Sequence, residues 1–521
     1  MNRTIIGMVA TLLTVALVAV SCIEEPTISF NDIEQRSLKA WIDKHRPDLA
    51  ENYQEEGGYY VEVLDRGVQD SLPITGKDVW VWYDFTGRDL AGNIFETRNW
   101  KLAKQLGTYN VHAHYIPSFR FSGEESTTMM EGTYLATFNK LKIGDEELEV
   151  RYGTKLRLYL PSVIVATEGA DGGYQGQYAM EENKPMVVEM HIYGHVANPV
   201  AYEGNHVEAF AKANGGLCTD HKVVKDKEDE ATKAYRRSIT RADGSEEEVD
   251  TRPLEFFDGR WHQPVDTLEH LLVNYAYSPK RTTFDFNAVG ADTIMYDREE
   301  ISENVYAAGD IYGAGISDID RRINEALVER FGEGITYDQV LEADSLNTKS
   351  TAKVWYIGRF LDGFVFDTNI DEVKEIVFGK VESVGTALTF ETSEPLKNDY
   401  ILAWNYALPT LRCGQWATIL TVSTYAYGLT GQVGSTTSTT TGQNDAYYDY
   451  LNYMNYMNYM NSYYGYGYGN MYNSGYYGYN PYYYGYGYNM GNMEDTSVTV
   501  TTTSTEIQAF TPLIFQVFVE K

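Results

Sequence analysis

Three features of this 521-residue chain predict an α+β fold. They are a β-rich run at 354–367 bent about an Asp-Gly pair, an altered copy of that run at 79–96, and helical stripes outside both. Residues 354–367 read Val-Trp-Tyr-Ile-Gly-Arg-Phe-Leu-Asp-Gly-Phe-Val-Phe-Asp. Asp362-Gly363 between two β-rich segments is a strong short-range signal for a tight hairpin. Residues 79–96 keep the spacing of Phe85-Thr86-Gly87, a later Gly92 and a closing Phe95-Glu96, which marks an internal repeat. Among the helices, Leu38, Trp41 and Ile42 share one face within residues 26–52, and that helix should end before Pro47. Ser317 to Phe331 reads as a second helix. Ser317 is its N-cap, Ile319, Ile323, Leu327 and Phe331 are its stripe, and Gly332 is its stop.

Length and charge narrow the possibilities. A chain this long exceeds one ordinary core, so two or three domains are expected. A formal net charge of −32 argues against nucleic acid as a partner and against electrostatic docking to anionic membranes. Residues 1–22 read as an export leader, with Arg3 as the positive end and Ile5 to Val20 as the apolar stretch. Ala19-Val20-Ser21-Cys22 resembles a bacterial lipobox, which makes Cys22 the expected lipidation site; the alternative is an ordinary secretory signal with an incidental cysteine. Ile23-Glu24-Glu25 resembles the surface-export signal of Bacteroidetes lipoproteins. The expected location is the cell envelope, lipid-anchored to the outer membrane, on its periplasmic face or at the cell surface. Cys218 and Cys413 are the remaining cysteines, and sequence does not decide their pairing.

The order of motifs along the chain carries more. After Asp367 come Ile401-Leu402-Ala403-Trp404, then Tyr425-Ala426-Tyr427-Gly428, then the apolar run Leu513-Ile514-Phe515-Gln516-Val517-Phe518. This order resembles the FKBP-type peptidyl-prolyl isomerases, whose pattern is V-x-Y-x-G-x-L-x-D-G-x-x-F-D, a Trp opening a short helix, A-Y-G, and a last apolar strand. Trp404 and Gly428 match without a gap. The resemblance implies two FKBP-like domains, each a bent antiparallel sheet wrapped over a short helix, plus a helical or irregular linker. The division is then 1–22 leader, 23–57 N-terminal helix and linker, 58–195 divergent domain, 196–345 helical and charged linker, and 346–521 second domain with an insert at 434–500.

By the same resemblance, Tyr356, Phe366, Asp367, Trp404, Tyr427 and Phe515 are the candidate catalytic residues, and Ile401, Leu388 and Ile507 line the substrate. The chemistry needs no cofactor and no metal. An X-Pro imide isomerises slowly because resonance sets a barrier of about 18–20 kcal/mol. An apolar pocket that holds the proline and favours a twisted C–N bond lowers that barrier by transition-state binding. The expected partners are proline-containing polypeptides. Asp367 is expected to orient them electrostatically without acting as a base. The chain departs from the pattern at Ala403, where the family has Gly, at Tyr400, where it has an aliphatic, and at Leu388, where it has Phe. About a dozen extra residues follow Asp367. Any one of these aromatics is explained as well by core packing; their joint order favours the pocket.

The first copy reads as non-catalytic. Phe85 stands at the family's Tyr, Thr133 at its Trp, and Val165 near its second Tyr. His112 and His114 alternate as a pair on one strand face would, an incomplete metal set; Cys218 with His221 is another. Tyr174-Gln175-Gly176 is turn chemistry. From Tyr447 to Met493 the chain is tyrosine-rich, and no Lys or Arg occurs between Arg412 and Lys521. Such composition supplies few aliphatics for a core, so disorder is the expectation. The insert falls where the family's loop overhangs the proline site. Two readings stand: a tyrosine array that holds surface ligands by stacking, or a tolerated loop expansion. The alternative function is a non-enzymatic surface lipoprotein that binds through FKBP-like scaffolds and this loop.

Overall fold

The computed structural model describes residues 30–76, 78–107, 109–123, 127–165, 184–218, 236–240, 244–250, 252–265, 267–286, 316–346, 349–379, 381, 383–429, 431–432, 436–440, 499–503 and 505–520. Cys22, Tyr174-Gln175-Gly176, His221 and the tyrosine-rich residues 441–498 lie outside them. Helices and antiparallel sheets are mixed, an α+β arrangement.

The first sheet is built from β1 (Tyr59–Arg66), β2 (Val79–Asp89), β3 (Ile94–Thr97), β4 (Ser118–Ser122), β5 (Thr154–Leu160) and β6 (Met186–Val196). With the short strand Tyr53–Gln54 at its edge, the order is β1-β5-β6-β2-β3, and β4 also pairs with β2. Helix α1 (Phe30–His45) ends just before Pro47, whose ring disfavours a helical residue ahead of it. Its Leu38 and Ile42 are buried against Tyr60, Tyr159 and Val187 on one face of the sheet. Helix α2 (Glu131–Phe138) covers the other face, where Leu135 and Ala136 meet Leu156, Leu158, Val188 and Met190.

The second sheet repeats this plan. Its strands are β7 (Leu272–Asn274), β8 (Thr351–Phe360), β9 (Val365–Thr368), β10 (Leu388–Glu391), β11 (Trp416–Thr421) and β12 (Leu513–Val519). They run in the order β7-β11-β12-β8-β9, with β10 also pairing with β8. Both sheets carry a register shift at one matching place, Gly87/Arg88 in β2 and Gly358/Arg359 in β8. Among the helices of this half are α3 (Pro199–Ala213), α4 (Ile316–Phe331), α5 (Asp371–Phe378) and α6 (Leu402–Ala407). The α4 stripe Ile319, Ile323 and Leu327 is buried, and Gly332, at φ 75°, takes the left-handed conformation just after the helix.

Residues 196–345 therefore do more than the linker expected of them. They supply β7, α3 and α4, and Val207, Phe210 and Ile323 share the core of the second sheet. The extra residues after Asp367 form α5, whose Glu372 accepts a bond from Arg330 of α4. The Asp-Gly signal marks a hairpin, though of a different kind from a two-residue turn. Phe360 accepts from the Gly363 amide at 2.9 Å and donates to the Phe364 carbonyl at 2.9 Å. Gly363 is at φ 94°, and Asp362 is not in the left-handed region a type I′ turn demands.

Both sheets and their helices belong to one compact unit, residues 1–434 with 504–521. Residues 435–503 form a second unit, in which Thr436–Thr440 pairs with Thr499–Thr503. Within the first unit the sheets touch. Trp80 meets Phe510 edge-on at 4.3 Å, and Arg98 bonds Glu506 at 3.0 Å. Burial pushes the Glu506 carboxyl up, but the Arg98 and Arg120 charges hold it below its ordinary value. His112 and His114 are in a loop, not on a strand face. Their rings pack on the second sheet's side, His112 on Phe378 at 4.2 Å and His114 on Phe360 and Phe364 at 4.6 and 4.5 Å. Among the described residues no three His, Cys, Asp or Glu side chains cluster as metal ligands, and Cys218 and Cys413 form no disulfide.

One further device occurs in both halves. A glutamate in the second turn of a helix clamps the serine that opens a one-turn helix after a strand. Glu34 of α1 accepts from the Ser162 amide at 2.7 Å and its hydroxyl at 2.6 Å. Glu203 of α3 accepts from the Ser423 amide and hydroxyl, both at 2.5 Å. Burial raises the Glu203 pKa from 4.5 to about 7, against the two Ser423 bonds that lower it. Below pH 4.5 the carboxyl is protonated whether the chain is folded or not; between 4.5 and 7 the unfolded chain ionises first, so stability falls with rising pH and then levels. The shift corresponds to about 3 kcal/mol. Denaturant unfolding between pH 4 and pH 8 should show that decline, and Glu203→Gln, neutral throughout, should remove it. An unchanged decline in the variant would refute a buried, proton-retaining Glu203.

Candidate functional site

Tyr356, Phe366, Trp404, Tyr427 and Phe515 arrive from five places in the chain, and the second sheet brings them together. Antiparallel register puts Tyr356 opposite Val517 and Gly358 opposite Phe515, so Tyr356 and Phe515 share a face. Helix α6 lies on that face. Its Trp404 meets Tyr356 at 5.0 Å and 73°, and Phe515 at 5.4 Å and 85°. Phe366 stands perpendicular to both Phe515, at 5.8 Å, and Tyr427, at 6.3 Å. Edge-to-face contacts of this kind suit the ring quadrupoles.

Gly358 makes the arrangement possible. A Cβ there would lie 2.6 Å from Phe366 Cζ, so the ring occupies the space that any side chain would need. Tyr427 is held differently. It follows the one-turn helix Ser423–Tyr425, and the Ser423 carbonyl accepts from the amides on either side of it, Ala426 at 2.9 Å and Gly428 at 2.7 Å.

The cluster is closed at its base and open at its rim. Trp404, Phe366 and Phe515 are buried, Tyr356 and Tyr427 are half-buried, and Asp367 is solvent-exposed. Asp367 accepts the Tyr356 hydroxyl. Surrounding protein raises the Asp367 pKa above its ordinary value, with the Tyr356 bond pulling the other way. The same crowding, followed by the Asp367 charge, pushes Tyr356 well above its own. The Trp404 Nε1 is buried without a hydrogen-bond partner, an N–H donor at the base of an apolar surface.

The other sequence-derived residues fall around this group. Ile401 is half-buried at the N-cap of α6, where its carbonyl accepts from Trp404 at 3.0 Å. Ile507 is buried and exchanges bonds with Gln432 at 2.7 and 2.8 Å. Leu388 begins β10 opposite Val354 and packs at the edge of the same core. Three further rings adjoin the group: Phe390 and Phe360, which the sequence does not single out, and Tyr400, which it marks only as a departure from the family pattern. Phe390, two positions beyond Leu388 and so on the same strand face, is fully buried and stacks on Tyr400 at 6.2 Å. Tyr400 lies 5.7 Å from Trp404, and Phe360 lies 5.1 Å from Phe366. The period-two alternation Leu388, Phe390 was the signal for the first.

The matching positions of the first sheet keep a ring at Phe85 and Phe95 but lack the other three. Register puts Phe85 opposite Met190 and Gly87 opposite Val188, so Val188 stands where Phe515 does. Thr133 occupies the Trp404 place, three residues into α2 from its N-cap, and bonds back to the Met130 carbonyl at 2.7 Å. Counted from the clamped serines, Val165 matches Ala426, one place short of Tyr427.

Substituting Gly358→Ala should displace the Phe366 ring and lower unfolding stability by about 1–3 kcal/mol, measured by denaturant titration. A loss under about 0.5 kcal/mol would mean that the ring yields freely.

No protein-family model matches the chain, and no curated protein does. Among solved structures, FkpA from Escherichia coli is similar at 14% identity and a TM-score of 0.21, over 38% of this chain and 75% of that one. The three FKBP domains of wheat FKBP73 are similar at 10% identity and a TM-score of 0.18, over 90% of this chain and 95% of that one. A peptidyl-prolyl cis-trans isomerase from Pseudomonas syringae is similar at 19% identity and a TM-score of 0.21, over 33% of this chain and 97% of that one.

Proposed function

We propose that the second sheet carries a peptidyl-prolyl cis-trans isomerase site of the FKBP type. One observation carries this reading. Five aromatics, whose order along the chain matches that family, form a single perpendicular cluster with Asp367 hydrogen-bonded to Tyr356 at its rim. Catalysis would be non-covalent. The proline ring rests against Trp404 and Phe515, and the imide leaves water. Loss of amide resonance in the twisted transition state then meets a weakly polar surface. Asp367 is committed to the Tyr356 hydroxyl, which fits an orienting role better than that of a base.

The first sheet, with Phe85, Thr133 and Val188 at the matched places, is proposed as non-catalytic. The leader reading of residues 1–22 supports a lipid-anchored envelope protein acting on proline-containing polypeptides, with the tyrosine-rich insert as a holding surface for partners. A protease-free assay on a prolyl peptide tests the central point. The full chain should accelerate isomerisation. Trp404→Ala should lower kcat/KM by about tenfold or more, and Tyr427→Phe by less. A folded chain that turns over no faster than the uncatalysed peptide would remove the enzyme reading and leave a binding scaffold.

A further inference from the structure

We propose that Glu203, 220 residues before the Ser423 it bonds, is a positioning residue for the aromatic cluster, and that α3 therefore belongs to the working unit. This rests on the isomerase reading for its kinetic arm alone. The geometry forms one unbroken series. Both carboxylate oxygens of Glu203 are used on Ser423, at 2.5 Å to its amide and 2.5 Å to its hydroxyl. The Ser423 carbonyl then accepts from Ala426 and Gly428, the two residues that flank Tyr427. Tyr427 in turn stands 6.3 Å from Phe366, a wall of the site. Glu203 is 1% exposed, so water does not compete for either bond.

The first half of the chain holds the matching control. Glu34 clamps Ser162 with the same two bonds, and the turn Ser162–Ile164 occupies the same place after β5 that Ser423–Tyr425 occupies after β11. The rings corresponding to Trp404, Tyr427 and Phe515 are missing there. A purely structural clamp would act alike in both halves; a positioning clamp would affect turnover in one.

The decisive substitution is Glu203→Ala, set beside Glu203→Gln and Glu34→Ala in the full chain. A glutamine can keep both contacts, its carbonyl accepting the Ser423 amide and its NH2 donating to the hydroxyl. Hydrogen exchange followed by mass spectrometry should show faster exchange across 421–429 in Glu203→Ala, with strands β8 and β12 unchanged and Glu203→Gln close to the parent. In the prolyl-peptide assay, Glu203→Ala should lose about tenfold in kcat/KM. Glu203→Gln should recover most of it, and Glu34→Ala should lose none per folded molecule. Unaltered exchange at 421–429 in Glu203→Ala would overturn the proposal, as would equal kinetic losses in Glu203→Ala and Glu34→Ala. Should Glu203→Ala fail to fold, Ser423→Ala removes the hydroxyl bond alone and decides the same point. If the parent chain shows no turnover, the isomerase reading fails while the exchange result still tests the clamp.

Discussion

The second sheet depends on its last strand. β12 is buried at every position, Leu513 to Val519, and pairs with β8 on one side and β11 on the other. It supplies Phe515 to one face and Phe518 to the other, where Phe331 of α4 meets Trp355, Trp416 and Phe518 between 5.0 and 5.7 Å. Without β12 the sheet would fall into two separate ladders. Yet this strand lies beyond the tyrosine-rich insert, so the sheet closes only when that whole segment has been spanned. The entropic cost rises slowly with length, about 0.6 kcal/mol per doubling. A strand with this much buried aromatic and branched surface offsets such a cost readily.

The two sheets show what a shared plan fixes and what it leaves free. Strand order, the register shift at a glycine, and the glutamate–serine clamp are common to both. The arginine after the shift is common too, but its surroundings differ. Arg88 bonds Glu189 at 2.9 Å on a partly exposed face. Arg359, fully buried, bonds Gln516 at 2.7 Å and takes its counter-charge from Asp320 of α4 at 2.8 Å. A buried ion pair is weak evidence for stability, because desolvation opposes the attraction. It does fix orientation: Asp320 meets Arg359 only when α4 lies in one register across the sheet. The first sheet, with a carboxylate already on the neighbouring strand, needs no such helix.

How far the sequence could be read follows from the range of each contact. The hairpin was legible because Asp362-Gly363 acts within a few residues, and the aromatic order was legible because each ring sits beside its own local marker. Helices α1 and α4 showed as stripes with clear stops at Pro47 and Gly332. The role of residues 196–345 was not legible. β7 has three residues, too few for alternation to register, and its partner β11 lies about 145 positions on. Glu203 is one of two acidic residues in α3, and nothing near it in sequence marks it until Ser423 arrives. Leu388 was chosen by alignment position, while the fully buried ring belongs to Phe390, because local spacing cannot say how deep a strand lies. The placement of His112 and His114 on one strand face failed for a related reason: alternation indicates a shared face only on a strand, and these residues are in a loop.

That loop explains why a site-poor first sheet can still matter to the second. His114 lies on Phe360 at 9° between ring planes and on Phe364 at 28°, and its Nε2 bonds Asp362 Oδ2 at 2.8 Å. The tip of the β8–β9 hairpin is thus gripped by a residue of the loop that leads into β4 of the other sheet. Phe360 in turn packs against Phe366, which fills the space above Gly358 and faces Tyr427. A two-stranded hairpin with a three-residue loop is marginal on its own. Here it carries both Phe366 and Asp367, so its rigidity sets how well the rim of the cluster is defined. The first sheet braces this hairpin from one side while Glu203 holds the Tyr427 turn from another. Both supports come from parts of the chain that lack the aromatic set, so the second sheet's site depends on sequence well outside the motif that reveals it.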